Sequence, residues 1–162
     1  MNNALFGQNQ LQGHSIKSLI QWGDHLSVDH PEIDAQHKAL FDLGMSVYEN
    51  WQGGGSIDAL RPNVASLDRL LKAHFSFEEK LLADIGYYNL EEHAAEHRSL
   101  LAEMTDVTNE LSRLDIYSKF TKGSLLAPGW PITQLILGFI IGHVSTSDMS
   151  YCRSINESSK AA

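Results

Sequence analysis

Cysteine is nearly missing from this chain. The one thiol in 162 residues, Cys152, has no second cysteine for a disulfide or a thiolate metal site, so any metal must be held by nitrogen and oxygen donors. Cys152 itself is expected to pack as a small apolar residue. Long apolar runs are missing too: the strongest, Leu135 to Ile141, falls far short of the ~20 residues a membrane-spanning helix needs. The opening MNNALFGQNQ carries neither the basic nor the apolar block of a signal peptide, and the expectation is a cytoplasmic protein without a membrane partner. Basic residues are few, 12 Lys and Arg against 20 Asp and Glu, for a formal charge of -8. With no basic stripe to neutralise phosphates, a nucleic-acid partner is not expected. What remains, 43% hydrophobic and 20% charged residues, is the composition of one ordinary soluble domain.

Histidine is the exception, with eight residues at 14, 25, 30, 37, 74, 93, 97 and 143. Helical periodicity organises most of them, and no strand-like alternation competes with it. A first helix after Pro31 puts His37, Leu40, Phe41, Gly44, Val47, Tyr48 and Trp51 on one side and ends at QGGGS. The second starts after Ser56, a candidate N-cap, carries Val64, Leu67, Leu71, His74, Glu78, Leu81 or Leu82 and Ile85 inward, and stops at Gly86. A third opens at NLEE, where Asn89 and Glu92 have capping-box spacing, and carries His93, His97, Leu100, Met104, Val107, Leu111 and Leu114. The pattern weakens between Asp115 and Gly129, then a fourth helix begins near Pro131 and is expected to end after Tyr151. The fold expected is all-α, an up-down-up-down four-helix bundle over residues 22–152, with an N-terminal arm at 1–21 and a polar C-terminal tail at 153–162.

Each helix carries polar residues on its inward stripe: His37; His74 and Glu78; His93 and His97; His143 and Asp148. Residues four apart differ by only ~40° around a helix, so His74 with Glu78, and His93 with His97, can reach one ion from one face. His143 and Asp148 are five apart and ~140° apart on a regular helix. A local π-type widening, or a carboxylate reaching sideways to a second ion, would reconcile them. One buried histidine is usually a hydrogen-bonded core residue. Five imidazoles and two carboxylates buried together would leave donors and acceptors unpaired at about 1–3 kcal/mol each, and metal removes that difficulty. One tetrahedral zinc cannot use so many ligands. Two octahedral ions can: with both carboxylates and one oxo or hydroxo bridging, all but one coordination position is filled, and the vacancy can take a small molecule. Such ligands suit iron or manganese. His14, His25 and His30 precede the first helix and are expected to be solvated.

The stretch HAAEH, residues 93 to 97, also fits the H-x-x-E-H pattern of some zinc proteases. There Glu96 would be the catalytic base. In a bundle Glu96 lies ~100° from His97, and it is expected to face solvent or a neighbouring charge.

The segments IDAQHKALF, HFSFEE, HAAEH and FIIGHVSTSD resemble, in order, the metal motifs of the hemerythrins, especially the bacterial ones, and Trp22 resembles the tryptophan at the start of their bundle. The resemblance covers roughly residues 20 to 152. It implies a non-haem di-iron centre: His93, His97 and His143 on one iron, His37 and His74 on the other, Glu78 and Asp148 bridging, and dioxygen at the vacancy on the second iron. Phe139 stands where the family usually has Trp, and Val144 where Ile is common. With Phe75 and Ile140 these would line a dry oxygen pocket. The expected function is reversible dioxygen binding for transport, storage or sensing, with no enzymatic role. A di-iron enzyme acting on peroxide or dioxygen, or a signalling module, is the alternative.

Overall fold

The computed structural model describes residues 21–52, 56–113 and 138–161. All regular structure among them is helical: α1 (Pro31–Gln52), α2 (Ile57–Asp84), α3 (Leu90–Arg113) and α4, wound as a π-helix over Gly138–Asp148 and as an α-helix over Met149–Ala161. A short 3-10 turn, Asp24–Leu26, precedes α1. Successive helices pack on one another, α1 on α2, α2 on α3, and α3 on the π-wound part of α4. Together they form a four-helix bundle. The expected connection between residues 115 and 130, and the arm at residues 1–20, lie outside the described residues. No helix among the described residues is long and apolar enough to cross a membrane.

Local chemistry sets the helix ends. Ser56 caps α2, its side chain accepting from the Ala59 amide, which satisfies one of the amides a helix start leaves over. Gly86, at φ 67°, closes α2: its amide donates to Ala83 O at 3.1 Å and that of Tyr87 to Leu82 O at 2.9 Å. This pair of bonds requires a left-handed residue, which glycine adopts without a Cβ clash. The chain therefore reverses within five residues, so α3 runs antiparallel to α2. Before α1, Asp34 accepts from Ser27 Oγ at 2.6 Å and from the Val28 amide at 2.9 Å. His30 Nδ1 accepts from the Ile33 amide at 3.3 Å. His30 thus caps α1 instead of standing free in solvent as expected, while His25 is exposed.

Most residues of the expected stripes are buried; Tyr48, Ile85 and Leu100 are half-buried, and Leu114 and the side chain of Trp51 lie outside the described residues. Leu82 is the fully buried member of its pair, and Ile33 and Leu60, on no expected stripe, are buried as completely. The fourth helix does not end after Tyr151: it continues to Ala161, Ile155 is 4% exposed, and Asn156 Nδ2 donates to Asp29 at 3.2 Å. One buried apolar residue a turn beyond Tyr151 docks the extension, although its neighbours read as a polar tail.

Two apolar clusters result. The larger includes Leu40, Phe41, Leu67, Leu71, Phe75, Met104 and Val144; the smaller is Val28, Ile33, Leu82, Tyr87, Tyr151 and Ile155. Between them on every helix lie His37, His74, Glu78, His93, His97, His143 and Asp148, each at most 3% exposed. The polar residues form a layer across the bundle, sealed on both sides.

Candidate metal centre

The layer divides into two overlapping sets of donors. Glu78, His93, His97, His143 and Asp148 each offer an atom within 4.8 Å of the others, and so do His37, His74, Glu78 and Asp148. The two carboxylates belong to both sets. Glu78 Oε2 lies 3.0 Å from His97 Nε2, 3.2 Å from His93 Nε2 and 3.7 Å from His74 Nε2. Asp148 Oδ1 lies 3.0 Å from His143 Nε2, and its Oδ2 lies 3.1 Å from His37 Nε2. Yet neither Asp148 oxygen has a hydrogen bond of acceptable geometry. Buried carboxylate oxygens left this way are costly.

The tautomers sharpen the point. His97 Nδ1 is 2.8 Å from Glu79 Oε1, His143 Nδ1 is 3.0 Å from Glu96 Oε2, and His74 Nδ1 is 3.1 Å from Gln36 Oε1. These oxygens can only accept, so each Nδ1 carries the hydrogen and each neutral ring aims a lone pair from Nε2 into the layer. His97 Nε2 and His143 Nε2 then face each other at 2.8 Å. Two facing lone pairs need a cation or a proton between them. The same layer holds two carboxylates, so nitrogen and oxygen donors converge on the interior of the layer, where cations would satisfy them. The donors fit a pair of imidazole- and carboxylate-bound cations, and the oxygens around the Nδ1 atoms are the outer partners that hold ligating rings in orientation.

A family model described as the hemerythrin HHE cation binding domain matches residues 29–124. The chain belongs to the hemerythrin family. Among its relatives, the bacteriohemerythrin of Clostridium acetobutylicum is 30% identical over 89 residues, 53% of this chain and 69% of the relative. The myohemerythrin of Riftia pachyptila is 28% identical over 99 residues, 59% and 74% of the two chains. The bacteriohemerythrin of Pseudomonas paraeruginosa is 22% identical over 139 residues, 86% and 83%.

Within this hemerythrin fold the seven expected residues all meet in one layer, and the π winding of Gly138–Asp148 is what brings His143 and Asp148 to the same side. Glu96 is exposed and beside a neighbouring charge, as expected, and that charge is His143. It accepts from His143 Nδ1 and, at 2.5 Å, from Ser147 Oγ, so the helix face it occupies is the α3–α4 seam. Glu79 and Gln36 belong to no expected site: each adjoins an inward residue and sits at the border of its stripe, where sequence periodicity shows only a polar edge. Tyr151, in sequence only the expected end of a helix, reaches the layer as well. Its hydroxyl donates to Glu78 Oε1, and burial together with both carboxylates pushes its phenol far above the usual range, so it remains a donor.

Electrostatics follow from this crowding. Burial favours the neutral acid in Glu78, but hydrogen bonds from His93 and His97 and nearby imidazole charge outweigh it and hold the carboxyl well below its ordinary value. Burial and the charge of Glu78 raise Asp148, and His143 and His37 more than offset them. For His143 burial opposes charge, yet Asp148, Glu78 and Glu96 together push it up to about 9. His74 goes the other way, to about 4, because burial dominates. Without a metal, the layer keeps its carboxylates ionised and gathers a proton on His143.

Of the expected oxygen pocket, Phe75 and Val144 are buried at 2% and 0% exposure; the side chains of Phe139 and Ile140 lie outside the described residues. Phe75 stacks on His97, ring centroids 3.8 Å apart and planes 12° apart. A groove of about 540 Å³ between α2 and α3 reaches Phe75 from outside and is lined also by Glu79, Lys80 and Arg98. Trp22 sits against His37 and, edge to face, against Phe41. Cys152 is partly buried with its Sγ 3.9 Å from Ser27 O; burial and the charges of Asp29 and Asp34 push the thiol up, in keeping with a packing role.

Proposed function

We propose that this chain binds dioxygen reversibly at a pair of non-haem iron ions, as an oxygen carrier, store or sensor, without chemical change to a substrate. In this reading His93, His97 and His143 would hold one iron, His37 and His74 would hold the other, and Glu78 and Asp148 would be shared by both. The observation that supports it most is that both carboxylates belong to both donor sets, which is what a bridged pair requires and a single ion does not. Such a pair, when bound, supplies the electrons for reversible dioxygen binding.

The chain's own residues supply the rest. Gln36, Glu79 and Glu96 fix the rings of His74, His97 and His143, so that their Nε2 atoms arrive already aimed. Tyr151 holds Glu78 through Oε1, leaving Oε2 to face the imidazoles. Phe75 and Val144 keep water from the layer, and a dry, apolar surround disfavours release of charged, reduced oxygen species. The relatives named bacteriohemerythrin and myohemerythrin agree with this reading.

The test is an absorption spectrum of iron-loaded protein taken without oxygen, in air, and again after argon. A band that appears in air and vanishes under argon is expected. Sustained consumption of peroxide over many turnovers would replace the carrier reading with an enzyme, and one zinc per chain with no iron, in protein made with iron present, would overturn the di-iron assignment.

A further inference from the structure

The partners behind the imidazoles are not alike on the two sides of the layer. In the three-histidine set, His97 and His143 donate from Nδ1 to carboxylates, Glu79 at 2.8 Å and Glu96 at 3.0 Å. In the two-histidine set, His74 donates to the neutral amide of Gln36 at 3.1 Å, and His37 Nδ1 has no hydrogen-bond partner among the described residues. A carboxylate behind an imidazole makes its other nitrogen a stronger donor and locks its ring; an amide does this less. Both carboxylates are reachable from solvent, with side chains 39% and 45% exposed, while the rings they hold are at most 2% exposed.

From this asymmetry we infer that Glu79 and Glu96 are positioning residues that order the loading of the centre: the three-histidine pocket takes the first divalent cation, and the two-histidine pocket takes the second. The inference rests on the donor sets proposed above, but not on dioxygen chemistry. Glu96 does more than face His143. By also accepting from Ser147 Oγ it ties α3 to the π-wound segment, so the third imidazole of the first pocket is delivered by the same contact that aims it. The second pocket has only two imidazoles of its own and shares Glu78 and Asp148 with the first; Asp148 turns Oδ1 to His143 and Oδ2 to His37, so a cation in the first pocket would fix the carboxylates that the second one needs.

The experiment is a titration of the metal-free full chain with Co(II) alone, followed by its visible absorption and by calorimetry, with helix content measured by circular dichroism. Two resolved steps are expected, the first tighter. Glu79→Gln and Glu96→Gln keep size and surface exposure, and each should weaken the first step about 10–100-fold while leaving helix content unchanged. Gln36→Glu should tighten the second step and narrow the gap, and His37→Ala should abolish the second step while sparing the first. Simultaneous uptake of both ions by the unsubstituted chain would overturn the inference, as would Glu79→Gln and Glu96→Gln variants that bind as the parent does or weaken both steps equally. Because the probe is Co(II), failure of reversible dioxygen binding would remove the proposed function without touching this order, and the converse holds as well.

Discussion

Three helices of this bundle are regular and the fourth is not, and the difference lies where the chemistry is. In α2, His74 and Glu78 are four residues apart, as are His93 and His97 in α3, and ordinary α winding delivers both members of each pair. In α4 the pair is five apart, and the segment is π-wound over Gly138–Asp148 before it reverts to α winding at Met149. A π-helix is intrinsically disfavoured and is found mainly at functional sites. Here it places Asp148 beside both His143 and His37, which makes it the one residue of α4 within reach of both donor sets. The regular helices deliver imidazoles cheaply. The irregular helix delivers the second shared carboxylate.

Removing the shared groups should do most to the comparison. Glu78→Ala and Asp148→Ala each take one carboxylate from both sets, and elemental analysis should show the metal content falling from two ions per chain to one or none. Cys152→Ala and His25→Ala, outside the layer, should leave it unchanged. Two ions retained in Glu78→Ala would show that α2 supplies no bridge. Spacing can be tested without removing any donor. An alanine inserted between Val144 and Ser145 makes the α4 pair six apart and should cost the centre its second ion. Deleting Thr146, an exposed residue of the π segment, makes the pair four apart, the spacing the other helices use. Both ions should survive that deletion, with the π winding replaced by α. If both changes abolish metal uptake alike, the irregular winding matters for something other than register.

How much could be read beforehand divides along the same line. The inward stripes of α1 to α3 were legible because burial repeats with the helical period, and the seven donors because polar residues on such stripes are rare. The misfit at His143 and Asp148 was legible too, as a spacing that regular winding cannot serve. Which remedy the chain uses was not, because periodicity shows that the two residues misfit and not how the backbone meets the misfit. Glu79, Glu96 and Gln36 escaped for a related reason: what identifies them is a partner on another helix, at 38 residues' separation for Gln36 and 47 for Glu96. The extension to Ala161 rests on Ile155 meeting Val28 and Ile33, again a contact across the molecule.

Titration sharpens the contrast between α4 and α2 in the metal-free chain. His143 is raised from 6.5 to about 9; its contribution to stability is therefore complete below pH 6.5 and is lost as pH rises through 9. His74 is lowered from 6.5 to about 4; its contribution is complete above pH 6.5 and is lost as pH falls through 4. Glu78 and Asp148, both lowered, add to the loss on the acid side. The metal-free chain should therefore melt at its highest temperature near pH 6.5 and at lower ones on either side. A His143→Gln variant should flatten the alkaline limb alone, and an unchanged alkaline limb in that variant would remove α4 from the account.

The smallest effect concerns whether α4, once past its π segment, is as firmly docked as a regular helix. Ile33 of α1 and Ile155 of α4 belong to one apolar cluster and are 0% and 4% exposed, so removing one methylene from each asks the same question at both ends of the chain. Ile33→Val and Ile155→Val should each lower stability by about 0.5–1.5 kcal/mol, read from urea denaturation of the metal-free protein, with metal content unchanged in both. Comparable losses would mean that the α-wound turns after Asp148 clamp the irregular segment from below, since strain in the π winding persists only where flanking packing holds it. A loss at Ile33 with none at Ile155 would mean that the last turns fray freely. The π winding would then have to be held by the layer itself, through Ser147 on Glu96 and Tyr151 on Glu78.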